Sequence, residues 1–459
     1  MSRRRLFFAF LLFAWFCYFS YDTLSVHFAP DDMMNLAGYW RTKPAQLVTS
    51  HVLLWRGFYR PMGGVFYLPL FHFFGFNPAP YHAVILAILL ANVYLVWRLA
   101  TLLRAGPAAA GLAALLSCYH AGLSNLTYNI AFVYDVLCGF FYLAALVFYL
   151  RISETGRRPT GGETAILLGL YVCALNSKEM AVTLPVVLLV YEWTYQKEAA
   201  LRLPFLAGLI NLPYVYGKAL RPEALASDPG YRPVFSIARA IDFQTRSLRD
   251  LVGGHAVSPT TVAWVWGILF YLAFRRPRPV LQFCWFFLLI APLPIEFLPG
   301  RGAACLYVPF VGWAIFLATV SVDVAEAVSS FLASEPVFRR LGRQTLFALL
   351  LACGVTLWGR ENDWLKRSFI RPAMAQTGAL TWEVIGQFRA LGPQVRPNSR
   401  VVFLNDPFVD WDMAFIADLW FRDRSLALVL HRKTPITPEE TARAGHVFDW
   451  RDGRLIQLR

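Results

Sequence analysis

Long apolar runs recur along almost the whole chain and are separated by short polar segments. Most of them have about the length that crosses the hydrocarbon core of a bilayer as a helix. The runs cover residues 6–21, 82–103, 106–119, 130–150, 164–177, 180–196, 203–217, 259–275, 279–297, 305–326 and 345–359. Only 16% of the 459 residues are charged, whereas a soluble protein has about a quarter. The pattern predicts an all-α polytopic membrane protein.

Basic residues between the runs indicate the orientation of the helices. The net charge is +14, and an excess of Lys and Arg in short clusters is typical of cytoplasmic loops. We therefore attribute the charge to topology and predict no nucleic-acid binding. The clusters expected on the cytoplasmic side are Arg3–Arg5, Arg98/Arg104, Arg151/Arg157/Arg158, Lys197/Arg202, Arg275/Arg276/Arg278 and Arg339/Arg340/Arg343.

These clusters share one side only if the apolar piece 62–76 does not cross the membrane. That piece is short and contains Pro69, so we predict an interfacial or re-entrant helix on the outer face and about eleven spans. Residues 22–81 then form a first outer loop, and 218–258 a second one. No small-residue cleavage site follows the first run, which predicts an uncleaved first span and a cytoplasmic N-terminus.

The second outer loop contains six basic residues interleaved with apolar residues at near-helical spacing. This pattern predicts a basic amphipathic helix at the membrane surface. Either an anionic ligand or simple tolerance in a long loop accounts for basic residues on the outer side. The six are Lys218, Arg221, Arg232, Arg239, Arg246 and Arg249.

The transmembrane part ends near residue 359, and residues 360–459 have a soluble composition. Helices at 382–391 and 411–421 and strands at 400–404 and 426–430 predict a small α/β appendage on the outer, periplasmic side. Its central loop contains three acids that we interpret as turn and cap residues, namely Asp406, Asp410 and Asp412. The seven cysteines lie in or beside apolar runs without metal-type spacing, so we expect buried thiols and no disulfides.

Charged and polar residues collect at the outer ends of the predicted spans. Each has a structural alternative: a helix cap for Asp135, a solvated turn for Lys178–Glu179 and a headgroup anchor for Arg301. Their convergence on one membrane face instead predicts a cavity in which cations hold a phosphate and a carboxylate deprotonates a hydroxyl. The residues concerned are Asp31, Asp32, Arg60, His82, Asp135, Lys178, Glu179 and Arg301.

Several segments resemble the GT-C superfamily of membrane glycosyltransferases, over residues 1–330 and in the same order. They are Ala29-Pro30-Asp31-Asp32, Arg60-Pro61-Met62-Gly63-Gly64, Phe74-Gly75-Phe76-Asn77-Pro78 with Tyr81-His82, Leu175 to Pro185 and Leu306-Tyr307-Val308-Pro309. The Ser177-Lys178-Glu179 segment is similar to that of protein O-mannosyltransferase-like members. The bacterial lipid A aminoarabinose transferases share the layout more distantly.

The resemblance implies a GT-C-like topology in a bacterial inner membrane and a polyprenyl-phosphate-linked sugar as donor. It implies that Asp31 is the general base, that Asp32 orients the acceptor or a metal, and that Asp135 shapes the site. Lys178 and Arg301 would hold the donor phosphate, with Glu179, Arg60, His82 and Tyr307 beside them. Phe132-Val133-Tyr134-Asp135 departs from the family pattern around this acid. A divalent metal is left unassigned because the sequence offers no full ligand set.

The predicted function is therefore a cell-envelope glycosyltransferase whose acceptor hydroxyl belongs to a lipid, a glycan or a protein. Two alternatives also place charges in a membrane cavity. One is a transporter or flippase of lipid-linked sugars, although we find no inverted repeat of broken spans. The other is a non-catalytic relative that binds lipid-linked sugar.

Overall fold

A computed structural model describes residues 3–52, 60–196, 201–220, 227–338 and 340–459. Three basic residues named above lie outside these ranges: Lys197 and Arg339 of the predicted cytoplasmic clusters and Arg221 of the second predicted outer loop. The described chain is mostly helical and ends in a small sheet, which confirms the predicted fold class at this level.

The membrane part consists of helices with short connections. Its helices are α1 (Arg3–Ser20), α2 (Pro30–Arg41), α3 (Pro44–Val52), α4 (Pro61–Phe74), α5 (Ala79–Leu102), α6 (Pro107–Leu116), α7 (Asn125–Tyr128), α8 (Val133–Ser153), α9 (Gly161–Leu175), α10 (Leu184–Tyr195), α11 (Arg202–Val215), α12 (Ile237–Leu251), α13 (Pro259–Phe274), α14 (Pro279–Ile290), α15 (Leu293–Glu296), α16 (Tyr307–Ser334) and α17 (Gly342–Leu365). Proline stands in the first turn of many of them, where its missing N–H leaves no hydrogen bond unmade.

Five helical segments among the described residues are long and apolar enough to cross a membrane: Leu6–Ser25, Ala79–Leu102, Ile130–Ser153, Pro279–Glu296 and Ala303–Ser334. Three further apolar helices are shorter, α6, α9 and α13. These helices confirm the integral-membrane prediction. The count of about eleven spans, the sidedness of the termini and the interfacial position of α4 stay predictions.

Two helices form the centre of the bundle. α8 packs against α5 and α9, and α16 packs against α6, α14 and α17. Most side chains of α8 and of residues 307–319 of α16 are buried within the protein, whereas α1 exposes most of its apolar side chains. A helix that is apolar all round but buried only on one side is suited to contact with lipid.

The C-terminal part contains α18 (Arg371–Leu391), β1 (Arg400–Phe403), α19 (Asp412–Phe421), β2 (Ala427–Leu430), α20 (Pro438–Arg443), β3 (His446–Arg451) and β4 (Arg454–Gln457). The sheet order is β2-β1-β3-β4, with β1 parallel to β2 and β3, and β4 antiparallel to β3. The two predicted strands and both predicted helices are present. The hairpin β3–β4 was not predicted.

The C-terminal part packs on α2, which lies within residues 22–81. α19 packs on α2, and Arg41 at the end of α2 donates to both carboxylate oxygens of Asp418, at 2.6 and 2.8 Å. Such a two-pronged pair fixes orientation as well as distance. The C-terminal part therefore contacts the helix that contains Asp31 and Asp32.

Candidate active site

Asp31 and Asp32 both lie in the first turn of α2, and the helix directs their side chains to different sides. Pro30 begins the helix, and both acids stand where the helix dipole favours negative charge. Consecutive helical residues point about 100° apart, so the two side chains face different surroundings. Asp31 is exposed and lines a cavity, whereas Asp32 is 1% exposed. Only Asp31 is placed to meet a ligand in this cavity.

Asp32 is held by backbone donors. Its carboxylate accepts the N–H of Ala29 at 2.7 Å and the N–H of Ala131 at 2.6 Å. Burial raises the pKa of Asp32 to about 7, although these two donors oppose the shift. The side chain thus joins α2 to the segment that leads into α8. Its predicted role with the acceptor or a metal stays a prediction, and it does not line the cavity.

A buried ion pair lies deeper in the cavity wall. Lys178, in the turn after α9, donates its Nζ to both oxygens of Asp135 at 2.5 and 2.6 Å. The Sγ of Cys305 is 3.4 Å from the same Nζ. The two side chains are only 10% and 5% exposed. Burial of a charge at this depth requires such a partner, which explains why the two residues occur together.

A second ion pair lies beside the first. The guanidinium of Arg60 donates to both oxygens of Glu179 at 3.0 Å through Nη2, and it stacks 5.0 Å from the Tyr134 ring. The Tyr39 hydroxyl donates to the Arg60 carbonyl at 2.7 Å. Burial opposes ionisation of Glu179, but the charges of Arg60 and Lys218 outweigh it and lower the pKa of Glu179 to about 2.

Two further cations complete the polar lining. Arg301 lies 4.2 Å above the Tyr231 ring and donates to the Gly230 carbonyl at 3.3 Å. Lys218, just after α11, is 8% exposed. Burial lowers the pKa of Lys218 to about 8, and the Glu179 carboxylate limits the shift. Sequence analysis grouped Lys218 with surface cations; its position directly after an apolar run was the available signal.

The cavity has a volume of about 500 Å³. One wall is charged and the remainder is mainly apolar, an arrangement suited to an amphipathic ligand. The charged residues on the lining are Asp31, Arg60, Asp135, Lys178, Glu179, Lys218 and Arg301. The apolar part comes mainly from Met34, Phe132, Val215, Pro233, Phe235, Leu293, Pro294, Ile295, Phe297 and Leu298.

Two of the other predicted site residues lie outside this lining. His82, in the first turn of α5, is fully buried. Tyr307, at the start of α16, is 5% exposed and packs so closely on Gly139 that a Cβ there would lie 2.6 Å from its ring. Their predicted contacts with substrate stay predictions. Within the described ranges, no group of three or more His, Cys, Asp and Glu side chains could hold a metal ion.

Comparison with known proteins gives one informative result. No family model matches the sequence. No curated protein matches it either. The fold is similar to a crystal structure of ArnT from Cupriavidus metallidurans bound to undecaprenyl phosphate, with 13% identity and a TM-score of 0.54 over 98% of this chain and 97% of that one. The chain thus has the ArnT fold, which confirms at the level of the fold the predicted resemblance to the GT-C superfamily.

Proposed function

We propose that the protein is an integral-membrane glycosyltransferase. It transfers a sugar from a polyprenyl-phosphate-linked donor to an acceptor hydroxyl on the periplasmic or lumenal face. The observation that carries the proposal is one cavity in which an exposed carboxylate, four cations and an apolar wall occur together. The undecaprenyl phosphate bound to the structurally similar ArnT supports a polyprenyl lipid as ligand.

The residues suggest a division of roles within the reaction. The acceptor oxygen attacks the anomeric carbon of the sugar, the bond from that carbon to the phosphate oxygen breaks, and the lipid phosphate leaves. Asp31 accepts the hydroxyl proton, because it is exposed to the cavity and, among the described residues, forms no salt bridge. Arg60, Lys178, Lys218 and Arg301 stabilise the negative charge that develops on the phosphate.

The apolar wall supplies the other half of donor recognition. Phe235, Phe297 and Leu298 line the same cavity as the charged residues. A polyprenyl chain gains about 0.8 kcal/mol for each CH₂ group removed from water, so the wall favours a lipid-linked donor over a water-soluble sugar phosphate. Because α19 of the C-terminal part packs on α2, the helix that contains Asp31, we expect the acceptor, whether lipid, glycan or protein, to approach from that side.

Transfer by purified protein tests the proposal. Proteoliposomes are given radiolabelled undecaprenyl-phosphate sugars and a crude envelope fraction as acceptor. We expect label transfer by the native protein, a loss of about 10²- to 10⁴-fold in Asp31→Asn, and no loss in Glu383→Gln. Glu383 is the matched control, an exposed carboxylate on α18 outside the cavity lining.

Two results would contradict the proposal. Transfer that persists in Asp31→Asn would remove Asp31 as the base. Protein-dependent movement of the labelled lipid across the vesicle, without transfer to any acceptor, would indicate a flippase instead. The same vesicles serve both measurements, since an impermeant reagent that destroys outward-facing sugar reports lipid movement.

A further inference from the structure

The two ion pairs of the cavity differ in how firmly they are enclosed. Asp135–Lys178 is 5% and 10% exposed, whereas the side chains of Arg60 and Glu179 are 18% and 20% exposed. Lys178 also has the Cys305 sulfur within 3.4 Å. Separation of the deeper pair would leave an uncompensated buried charge. Only the outer pair is therefore free to exchange partners at modest cost.

Within the outer pair, Arg60 is the better anchored partner. Its backbone carbonyl accepts the Tyr39 hydroxyl, and its guanidinium stacks on the Tyr134 ring. Glu179 lies in a turn, at the start of a short 3-10 helix that ends at Thr183. The glutamate side chain is thus the one that can swing, while the guanidinium stays where a ligand would meet it.

The geometry of the outer pair is also that of a phosphate site. Both Glu179 oxygens lie 3.0 Å from Nη2 of Arg60, and Nε is 3.3 Å from one of them. Arginine holds two phosphate oxygens with the same fork of N–H donors. The carboxylate therefore stands where a phosphate would be bound.

A second cation is available to the displaced carboxylate. Lys218 lines the same cavity and is 8% exposed, and its charge already interacts with that of Glu179. A glutamate that leaves Arg60 would thus keep a counterion. This lowers the free energy needed for the exchange, since neither charge is left unpaired in an apolar wall.

Building on the proposed function, we infer that Glu179 is an exchangeable counterion that occupies the fork of Arg60 until the donor phosphate displaces it. The charged lining residues comprise four cations and three carboxylates, which leaves one net positive charge. A phosphodiester donor carries one negative charge and balances it. The phosphomonoester product carries nearly two at neutral pH, and return of Glu179 to Arg60 then promotes its release.

Binding of undecaprenyl phosphate to the full-length protein in detergent tests this role. We expect Glu179→Gln to lower the Kd about five- to tenfold, because the lipid no longer competes with a carboxylate for Arg60. The same variant should have a lower kcat at saturating donor, because product leaves more slowly. Glu179→Asp keeps the negative charge on a side chain that is one CH₂ group shorter and pairs less closely with Arg60. A smaller decrease in Kd, of about twofold, is therefore expected.

A double-mutant cycle separates exchange at Arg60 from a general loss of negative charge. In the Arg60→Gln background, Glu179→Gln should change the Kd less than twofold. An equal decrease in both backgrounds, or no decrease in the native background, would overturn the inference. Phosphatidic acid in the same micelles is the second arm, and an equal effect on its binding would overturn the assignment to the donor lipid.

Two controls keep the test independent of folding and of the proposed function. Thermal unfolding of each variant is measured in the same detergent, and Kd is referred to folded protein. If native protein transfers sugar but Glu179→Gln binds no more tightly, the counterion role alone fails. If native protein neither binds undecaprenyl phosphate nor transfers sugar, the proposed function itself fails.

Discussion

Two buried carboxylate–lysine pairs in different regions have the same chemistry and different surroundings. In the cavity, Lys178 contacts both oxygens of Asp135. Where the first span meets the last helix of the membrane part, Lys366 lies 2.9 Å from Asp22, and both side chains are 5% exposed. The first pair lines an open space of about 500 Å³. The second does not, and we expect it to be structural.

The Asp22 pair is satisfied entirely by protein groups. The Tyr128 hydroxyl donates to Asp22 at 2.9 Å, Lys366 donates to the Phe19 carbonyl at 2.8 Å, and Arg371 lies 3.8 Å from the second carboxylate oxygen. These contacts tie the end of α1 to the segment Lys366–Ile370, which joins α17 to α18, and to the start of α18. Contact with the cavity therefore distinguishes the Asp135–Lys178 pair, a candidate functional pair, from the Asp22–Lys366 pair.

Removal of a charge from Asp135–Lys178, the pair that lines the cavity, should reduce transfer more than removal of a charge from Asp22–Lys366. Lys178→Met leaves Asp135 buried without a cation, which lowers the free energy of unfolding by about 3–5 kcal/mol and removes one group that stabilises the leaving phosphate. We expect transfer to fall at least about 100-fold. The double variant Asp135→Asn/Lys178→Met should regain stability but not activity. Recovery of both would show that this pair, like the Asp22 pair, is structural.

Lys366→Met tests the other half of the comparison. It should destabilise the protein by a similar amount, about 3–5 kcal/mol, as measured by thermal unfolding in detergent. The folded fraction should bind undecaprenyl phosphate with unchanged Kd, because Lys366 does not line the cavity. Asp22→Asn/Lys366→Met is the matched double variant. A weakened Kd in this variant would remove the distinction between the two regions.

The apolar helices, and the charged residues at their predicted outer ends, could be predicted because each is marked by a short stretch of sequence. Hydropathy marks α5, α8 and α16 directly, and the basic clusters predict that their outer ends share one face of the membrane. The partner of each charge was not predictable in this way. Arg60 and Glu179 are separated by 119 residues, and only the packing of intervening helices decides that they meet.

Two features were missed although the sequence contained a signal. Asp452-Gly453 lies between β3 and β4 with positive φ at both residues, the turn that Asp-Gly favours in a two-residue hairpin. Pro30 marks the start of α2, and helical phase then separates Asp31 from Asp32. The sequence analysis treated the two acids as a pair, whereas only Asp31 lines the cavity.

Asp32 is a buried carboxyl group held by backbone donors rather than by a cation. Its titration tests whether such a group affects stability differently from the two ion pairs. Burial raises its pKa in the folded protein to about 7 from 3.8, so the folded state holds a proton that the unfolded state releases. Stability is therefore fully present below about pH 4 and is lost as the pH rises toward 7. Between pH 5 and pH 8 the free energy of unfolding should fall by roughly 2.5 kcal/mol.

Thermal unfolding at these two pH values, with Asp32→Asn beside the native protein, provides the measurement. The amide does not titrate, so the pH dependence should shrink in the variant. The variant should also be less stable at pH 5 by about 1–2 kcal/mol, because an amide oxygen replaces only one of the two acceptors used by Ala29 and Ala131. If the free energy of unfolding of Asp32→Asn depends on pH as strongly as that of the native protein, groups other than Asp32 cause this dependence.

Lys218 gives the smallest expected effect and belongs to the cavity side of the comparison. Its pKa is lowered to about 8, so the side chain loses its proton, and with it one positive charge of the cavity, between pH 7 and pH 9. Undecaprenyl phosphate should then bind about three- to fivefold more weakly at pH 9. Lys218→Arg stays charged in this range and should bind with little dependence on pH. If Lys218→Arg shows the same pH dependence of the Kd as the native protein, a group other than Lys218 causes that dependence. Lys218 is then not the titrating counterion of the displaced Glu179 carboxylate.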